Sequence, residues 1–168
     1  TITVHNQWYL AAQDVEITDY IPTGLILSDT NWTDNGDGTA TTTLASLGLA
    51  PLAMQSSTTV DIAFVIDPNY QWSSIVNRAE ISADDAMTTY GTTDEDSTPD
   101  ADISNDNQPT NLGDATDDEI NQDGTVGGDE DDHDVAGLVI WHIYDLALTK
   151  TVSSTTPGPY AQWGLVSF

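Results

Sequence analysis

The sequence predicts an all-β protein, an immunoglobulin-like β-sandwich that carries a long acidic loop. Three observations predict it. Apolar residues alternate with polar ones over short segments. Gly, Pro, Asn and Asp punctuate those segments every few residues. No amphipathic helix of useful length interrupts them.

Taken in order, Ile2 and Val4 alternate with polar residues, as do Val15, Ile17 and Ile21 with Asp14, Glu16 and Thr18 between them. "DYIPTGL" (19–25) ends a strand at Pro22, which has no amide hydrogen for a ladder. "TDNGDGTAT" (33–41) is a hairpin turn, because Gly36 and Gly38 can supply positive φ. "TTVDIAFVID" places Val60, Ile62, Phe64 and Ile66 on one face, and "SIVNRAEIS" does the same for Ile75, Ala79 and Ile81. Three regions follow. Residues 1–93 hold the main sandwich strands and 94–134 an acidic insert. Residues 135–168 hold a final strand and linker, with 144–168 as the opening strands of a following unit.

Composition narrows the function. The 168 residues carry 28 Asp and Glu, one Lys (Lys150) and one Arg (Arg78), for a formal charge of −26. Nucleic-acid binding needs clustered Lys and Arg and is excluded as an expectation, as is attraction to anionic membranes. The longest apolar run, 135–148, is interrupted by His142 and Asp145 and is too short for a membrane-inserting helix. There is no cysteine, hence no disulfide or thiolate chemistry. The Thr/Asp/Asn-rich, Lys-poor composition points to an extracellular, cell-surface setting.

The two ends read as one strand. Joined tail to head they give "WGLVSFTITVHNQ", with Leu165, Ser167, Thr1 and Thr3 on one face and Val166, Phe168, Ile2 and Val4 on the other. This is expected of a repeat cut from a tandem array, or of a subunit whose last strands complete the next. Either way the partner is a copy of the same unit, with 144–168 pairing with the strands of its neighbour.

Several segments resemble a known family. "DLALTKTV", "VSF–TITVHNQ", "DVEITDYIPTGL", "LASLGLAPLAMQSSTTVDIAFVI" and "VNRAEISADD" are similar, in permuted order, to a repeat domain of very long bacterial and archaeal surface proteins. That domain is of unknown function and is grouped with Sdr-type B-repeat adhesin modules. Its units usually begin with a D-L-x-L-T-K strand and end with an N-x-A-x-V/I strand. "DEDSTPD…GDEDDHDVA" resembles an acidic insert of such arrays. In "NQWYLAAQ", Trp8 and Tyr9 depart from the small turn pair usual in the family. The resemblance implies an immunoglobulin-like sandwich with a structural or adhesive role and no enzyme activity.

Strand parity singles out three polar residues. Lys150 shares a face with Leu146 and Leu148, Asn77 with Ile75, Ala79 and Ile81, and Asp19 with Val15, Ile17 and Ile21. Each therefore faces a core, where an unpaired polar group costs roughly 1–3 kcal/mol and a charge more. One reading is an autocatalytic isopeptide bond, in which Lys150 attacks the Asn77 carbonyl while protonated Asp19 polarises it. In the order of the resembling family, Lys150 belongs to the first strand of the next unit and Asn77 to the last, which makes the link intermolecular. The other readings are a Lys150–Asp19 ion pair with Asn77 hydrogen-bonded nearby, or a Lys that snorkels out at a strand end. Parity turns Glu16 and Asp61, the other candidate acids, outward.

The insert 94–134 carries 16 of the 28 acidic residues and neither Lys nor Arg. Composition alone describes a solvated loop. The spacing argues for Ca²⁺. Asp94, Asp96, Asp100 and Asp102 recur at short intervals, and Asp129, Asp131, Asp132 and Asp134 follow. Glu119, Asn121, Asp123, Gly124 and Glu130 fall at positions 1, 3, 5, 6 and 12 of an EF-hand-like loop, without flanking helices. His5, His133 and His142 share no zinc spacing, and no nucleophile elbow or triad is present. Asn31-Trp32-Thr33 is an N-glycosylation sequon. The five Trp are expected in core or inter-domain packing, with a carbohydrate platform as the alternative. The expected function is a structural repeating unit of an extracellular fibre or cell-surface stalk. The alternative is an adhesin module that binds glycan or protein through its loops.

Overall fold

The computed structural model describes residues 1–13, 15–83, 120, 132–151, 159 and 162. Among these residues the chain forms strands and no helix. The strands are β1 (Ile2–Asn6), β2 (Glu16–Tyr20), β3 (Leu25–Leu27), β4 (Thr33–Asp34), β5 (Thr39–Thr43), β6 (Ser56–Val60), β7 (Phe64–Ile66), β8 (Ser74–Ala83) and β9 (His133–Val139). They pair antiparallel as one five-stranded sheet, in the order β4-β5-β2-β8-β9, and two ribbons, β1-β6 and β3-β7. This all-β arrangement is consistent with a β-sandwich.

Alternation decides what each strand buries. Val15, Ile17 and Asp19 of the β2 segment, Ala40 and Thr42 of β5, and Ile75 and Ala79 of β8 are buried on one face of the large sheet. Val4 and Val60 from the β1-β6 ribbon join Val15, Ile17, Ala40, Ala79, Trp32, Leu44 and Leu52 in one apolar cluster. The ribbon therefore packs across the inner face of the sheet, and burial of that cluster is the main favourable term. The Gly36–Gly38 turn forms as expected, with φ of 77° and 97°, and Asp34 Oδ1 accepts the Gly36 amide at 2.8 Å. β2 ends at Tyr20, ahead of Pro22.

The structure corrects one expectation. Val60, Ile62, Phe64 and Ile66 do not share one strand. β6 stops at Val60 and β7 starts at Phe64, in a different ribbon, and Ile66 is exposed. The break is held by the Trp32 indole, which donates to the Asp61 carbonyl at 2.9 Å. The insert yields to strand two residues before Val135, because His133 and Asp134 pair with Glu80 and Ala79. Of the tryptophans, Trp32 is core, whereas Trp8, Trp72 and Trp141 are exposed and Trp163 lies outside the described residues.

Candidate functional site

Antiparallel registry gives the inner face of the large sheet its chemistry. Directly opposed residues share a face. Asp19 pairs with Ala40 on one side and Ala79 on the other, so two small neighbours flank it. Asn77 is one inner position further along β8. Its amide Nδ2 donates to Asp19 Oδ2 at 2.6 Å. Asp19 is fully buried, at 0 % exposure, among Ile17, Ala40 and Ala79. Burial pushes its carboxyl up from 3.8 to about 6, against the Asn77 hydrogen bond, which favours the ionised form. Oδ1 of Asp19 and Oδ1 of Asn77 are buried, with no hydrogen-bond partner among the described residues. Each such atom costs roughly 1–3 kcal/mol.

The sheet next to this pair is open on the same side. Leu138, Ala136 and Asp134 of β9 oppose Ile75, Asn77 and Ala79 and so share the inner face. All three are exposed, Leu138 at 43 %, while Val135 on the other face of β9 is buried. Among the described residues, no strand covers the inner face along β9, beside two buried oxygens that lack hydrogen-bond partners.

Lys150 lies on an exposed segment of its own chain and not on this sheet face. Residues 140–151 form no strand, and Lys150 is exposed near the end of that segment. The segment displays Trp141, Ile143, Tyr144, Leu146 and Leu148, the last two 91 % and 92 % exposed. The other candidate acids face outward as parity requires. Glu16 accepts Ser82 Oγ at 3.2 Å, and Asp61 accepts Thr1 Oγ1 at 2.6 Å on the surface.

Sequence reasoning missed the polar burial on the outer face of the sheet. Thr18 and Glu80 alternate outward, yet both are buried. Thr18 Oγ1 donates to Ser82 Oγ at 2.8 Å, and the Tyr20 hydroxyl donates to Glu80. Tyr20 also meets the His133 ring edge-on. Period-two alternation marks which residues share a face and not whether that face is covered.

Of the expected calcium ligands, Asp94, Asp96, Asp100, Asp102, Glu119, Asn121, Asp123, Asp129, Glu130 and Asp131 lie outside the described residues. Asp132 is buried. Asp134 is exposed on β9 and accepts the Val135 amide at 2.8 Å. Among the described residues no three His, Cys, Asp or Glu are grouped to hold a metal ion. Asn31 is exposed in the turn before β4, which leaves its side chain accessible for a glycan. The departure Trp8–Tyr9 forms an exposed aromatic pair with ring centroids 6.2 Å apart. Among the described residues, no helix is long and apolar enough to cross a membrane. Comparison with protein families, curated proteins and solved structures finds no match for the chain.

Proposed function

We propose that the chain is the structural repeating unit of an extracellular fibre or cell-surface stalk, joined head to tail to copies of itself by strand complementation. One observation carries the reading: among the described residues no strand covers the inner face of β9 beside the buried Asp19–Asn77 pair, while the segment following β9 is exposed and rich in apolar residues. In an extended conformation Tyr144, Leu146, Leu148 and Lys150 alternate onto one side. A neighbour's segment laid over the open face would bury Leu146 and Leu148, for about 1.5–3 kcal/mol each, and complete an immunoglobulin-like sandwich.

The same register carries a neighbour's Lys150 towards Asn77. There the chain performs one reaction on itself and is otherwise not an enzyme. The amine Nζ attacks Cγ of Asn77, a new C–N bond forms, the old C–N bond breaks, and ammonia leaves. Asp19, whose Oδ2 lies 2.6 Å from the Asn77 amide nitrogen, takes the proton that the attacking amine sheds and passes one to that nitrogen as it leaves. The carboxyl raised to about 6 supplies that proton more readily than an exposed Asp would. The product is an isopeptide link between units. Calcium bound by the insert offsets the self-repulsion of 16 carboxylates.

Sedimentation of the full chain and of a Leu146→Asp/Leu148→Asp variant tests the assembly. The full chain sediments as a concentration-dependent series of oligomers and the variant as a monomer. Equal sedimentation of the two would refute strand complementation through this segment.

A further inference from the structure

A second feature lies at the β2–β3 and β7–β8 connections, where His142 Nε2 is 3.1 Å from the Trp72 carbonyl and the Ile140 amide donates to the Ser73 carbonyl at 2.8 Å. Thr23, Asp67, Asn69, Tyr70, Gln71 and Trp72 line an open pocket of about 310 Å³ around Gly24. That volume is at the lower end for small-molecule sites. The pocket is pre-built. Gly24 has φ +102° and is covered by the Tyr70 ring, so closely that a Cβ there would sit 2.4 Å from Tyr70 Cδ2. The Tyr70 hydroxyl donates to the Ser74 carbonyl at 2.6 Å. The Asp67 amide donates to the Gly24 carbonyl at 2.9 Å and ties the two loops together. Asp67 Oδ1 accepts the Asn69 backbone amide at 2.8 Å and its side-chain amide at 3.1 Å.

What remains is a set of groups without internal duties. Trp72 is 72 % exposed. Asp67 Oδ2, Asn69 Oδ1, the Gln71 amide and the Thr23 hydroxyl have no partner among the described residues. An indole face beside several donors and acceptors suits a ligand with an apolar face and a rim of hydroxyls. One side of the Tyr70 ring is covered by Gly24, and Trp72 is the more exposed aromatic of the lining. No Lys or Arg lines it, and the chain carries −26, which disfavours anionic ligands.

We propose that this pocket binds a neutral saccharide, with one sugar ring stacked on Trp72 and its hydroxyls bonded to Asp67, Asn69 and Gln71. The test is saturation-transfer NMR and calorimetry on the full chain with glucose, galactose, mannose and N-acetylglucosamine, and with glucuronate and tetramethylammonium as charged controls. At least one neutral sugar binds with a dissociation constant on the order of 1 mM. Trp72→Ala and Gln71→Ala each weaken it at least tenfold, with circular dichroism unchanged because both side chains are exposed. Glucuronate and tetramethylammonium bind less well. The proposal is overturned if none of the four sugars binds, if Trp72→Ala leaves binding intact, or if tetramethylammonium binds more tightly than every sugar.

Discussion

Replacing Asp19 by Asn separates the cost of its buried charge from everything else in this acidic chain. The carboxyl is fully buried and raised from 3.8 to about 6 by desolvation. A carboxyl raised on folding binds its proton more tightly in the native state. Between pH 4 and 6 the folded chain therefore holds more protons than the unfolded one, and stability falls as pH rises through that window. Two pKa units correspond to about 3 kcal/mol of stability, present in full below pH 4 and lost above pH 7. The other carboxylates also change stability with pH, so the difference between Asp19→Asn and the parent is the quantity to follow. Asn is neutral and nearly isosteric, and their common titrations cancel. Urea unfolding of both proteins as monomers, on the Leu146→Asp/Leu148→Asp background, gives that difference at each pH. It should favour the variant by about 3 kcal/mol more at pH 8 than at pH 4. A difference independent of pH would refute the argument that Asp19 is held in the core against its own desolvation.

Two further outcomes follow from the same chemistry and from the insert. Denaturing mass spectrometry of assembled chains should show covalent oligomers, each link lighter by one ammonia, about 17 Da from the stoichiometry of amide exchange. Lys150→Ala and Asn77→Ala should each abolish the loss, and Asp19→Ala should slow it; unchanged masses in assembled parent chains would remove the isopeptide. Chelation of Ca²⁺ should lower the melting temperature by several degrees, because each 1 kcal/mol shifts a chain of this size by about 2–4 °C. An identical melt in EDTA and in millimolar calcium would count against metal in the insert.

The strands and the polar pair were legible in the sequence because period-two alternation is a local property. Ile75, Asn77 and Ala79 read inward as a group, and so do Val15, Ile17 and Asp19, without any knowledge of strand register. Adjacency was not legible. That β2 lies beside β8, which brings Asn77 within 2.6 Å of Asp19, depends on pairing across 58 residues. The division of "TTVDIAFVID" between two ribbons was hidden for a similar reason. The distant Trp32 indole holds the Asp61 carbonyl where the alternation alone runs on. The burial of Glu80 was hidden too, since its partner Tyr20 sits on another strand. The open inner face of β9 has no sequence signature, because Ala136 and Leu138 read as any core-facing pair would.

The central claim is that copies of this chain join in a line. Negative-stain electron microscopy of the concentrated full chain tests it most directly. Unbranched filaments with a regular axial repeat of one unit are the predicted result. A field of uniform single particles at every concentration, or closed rings without filaments, would contradict the account.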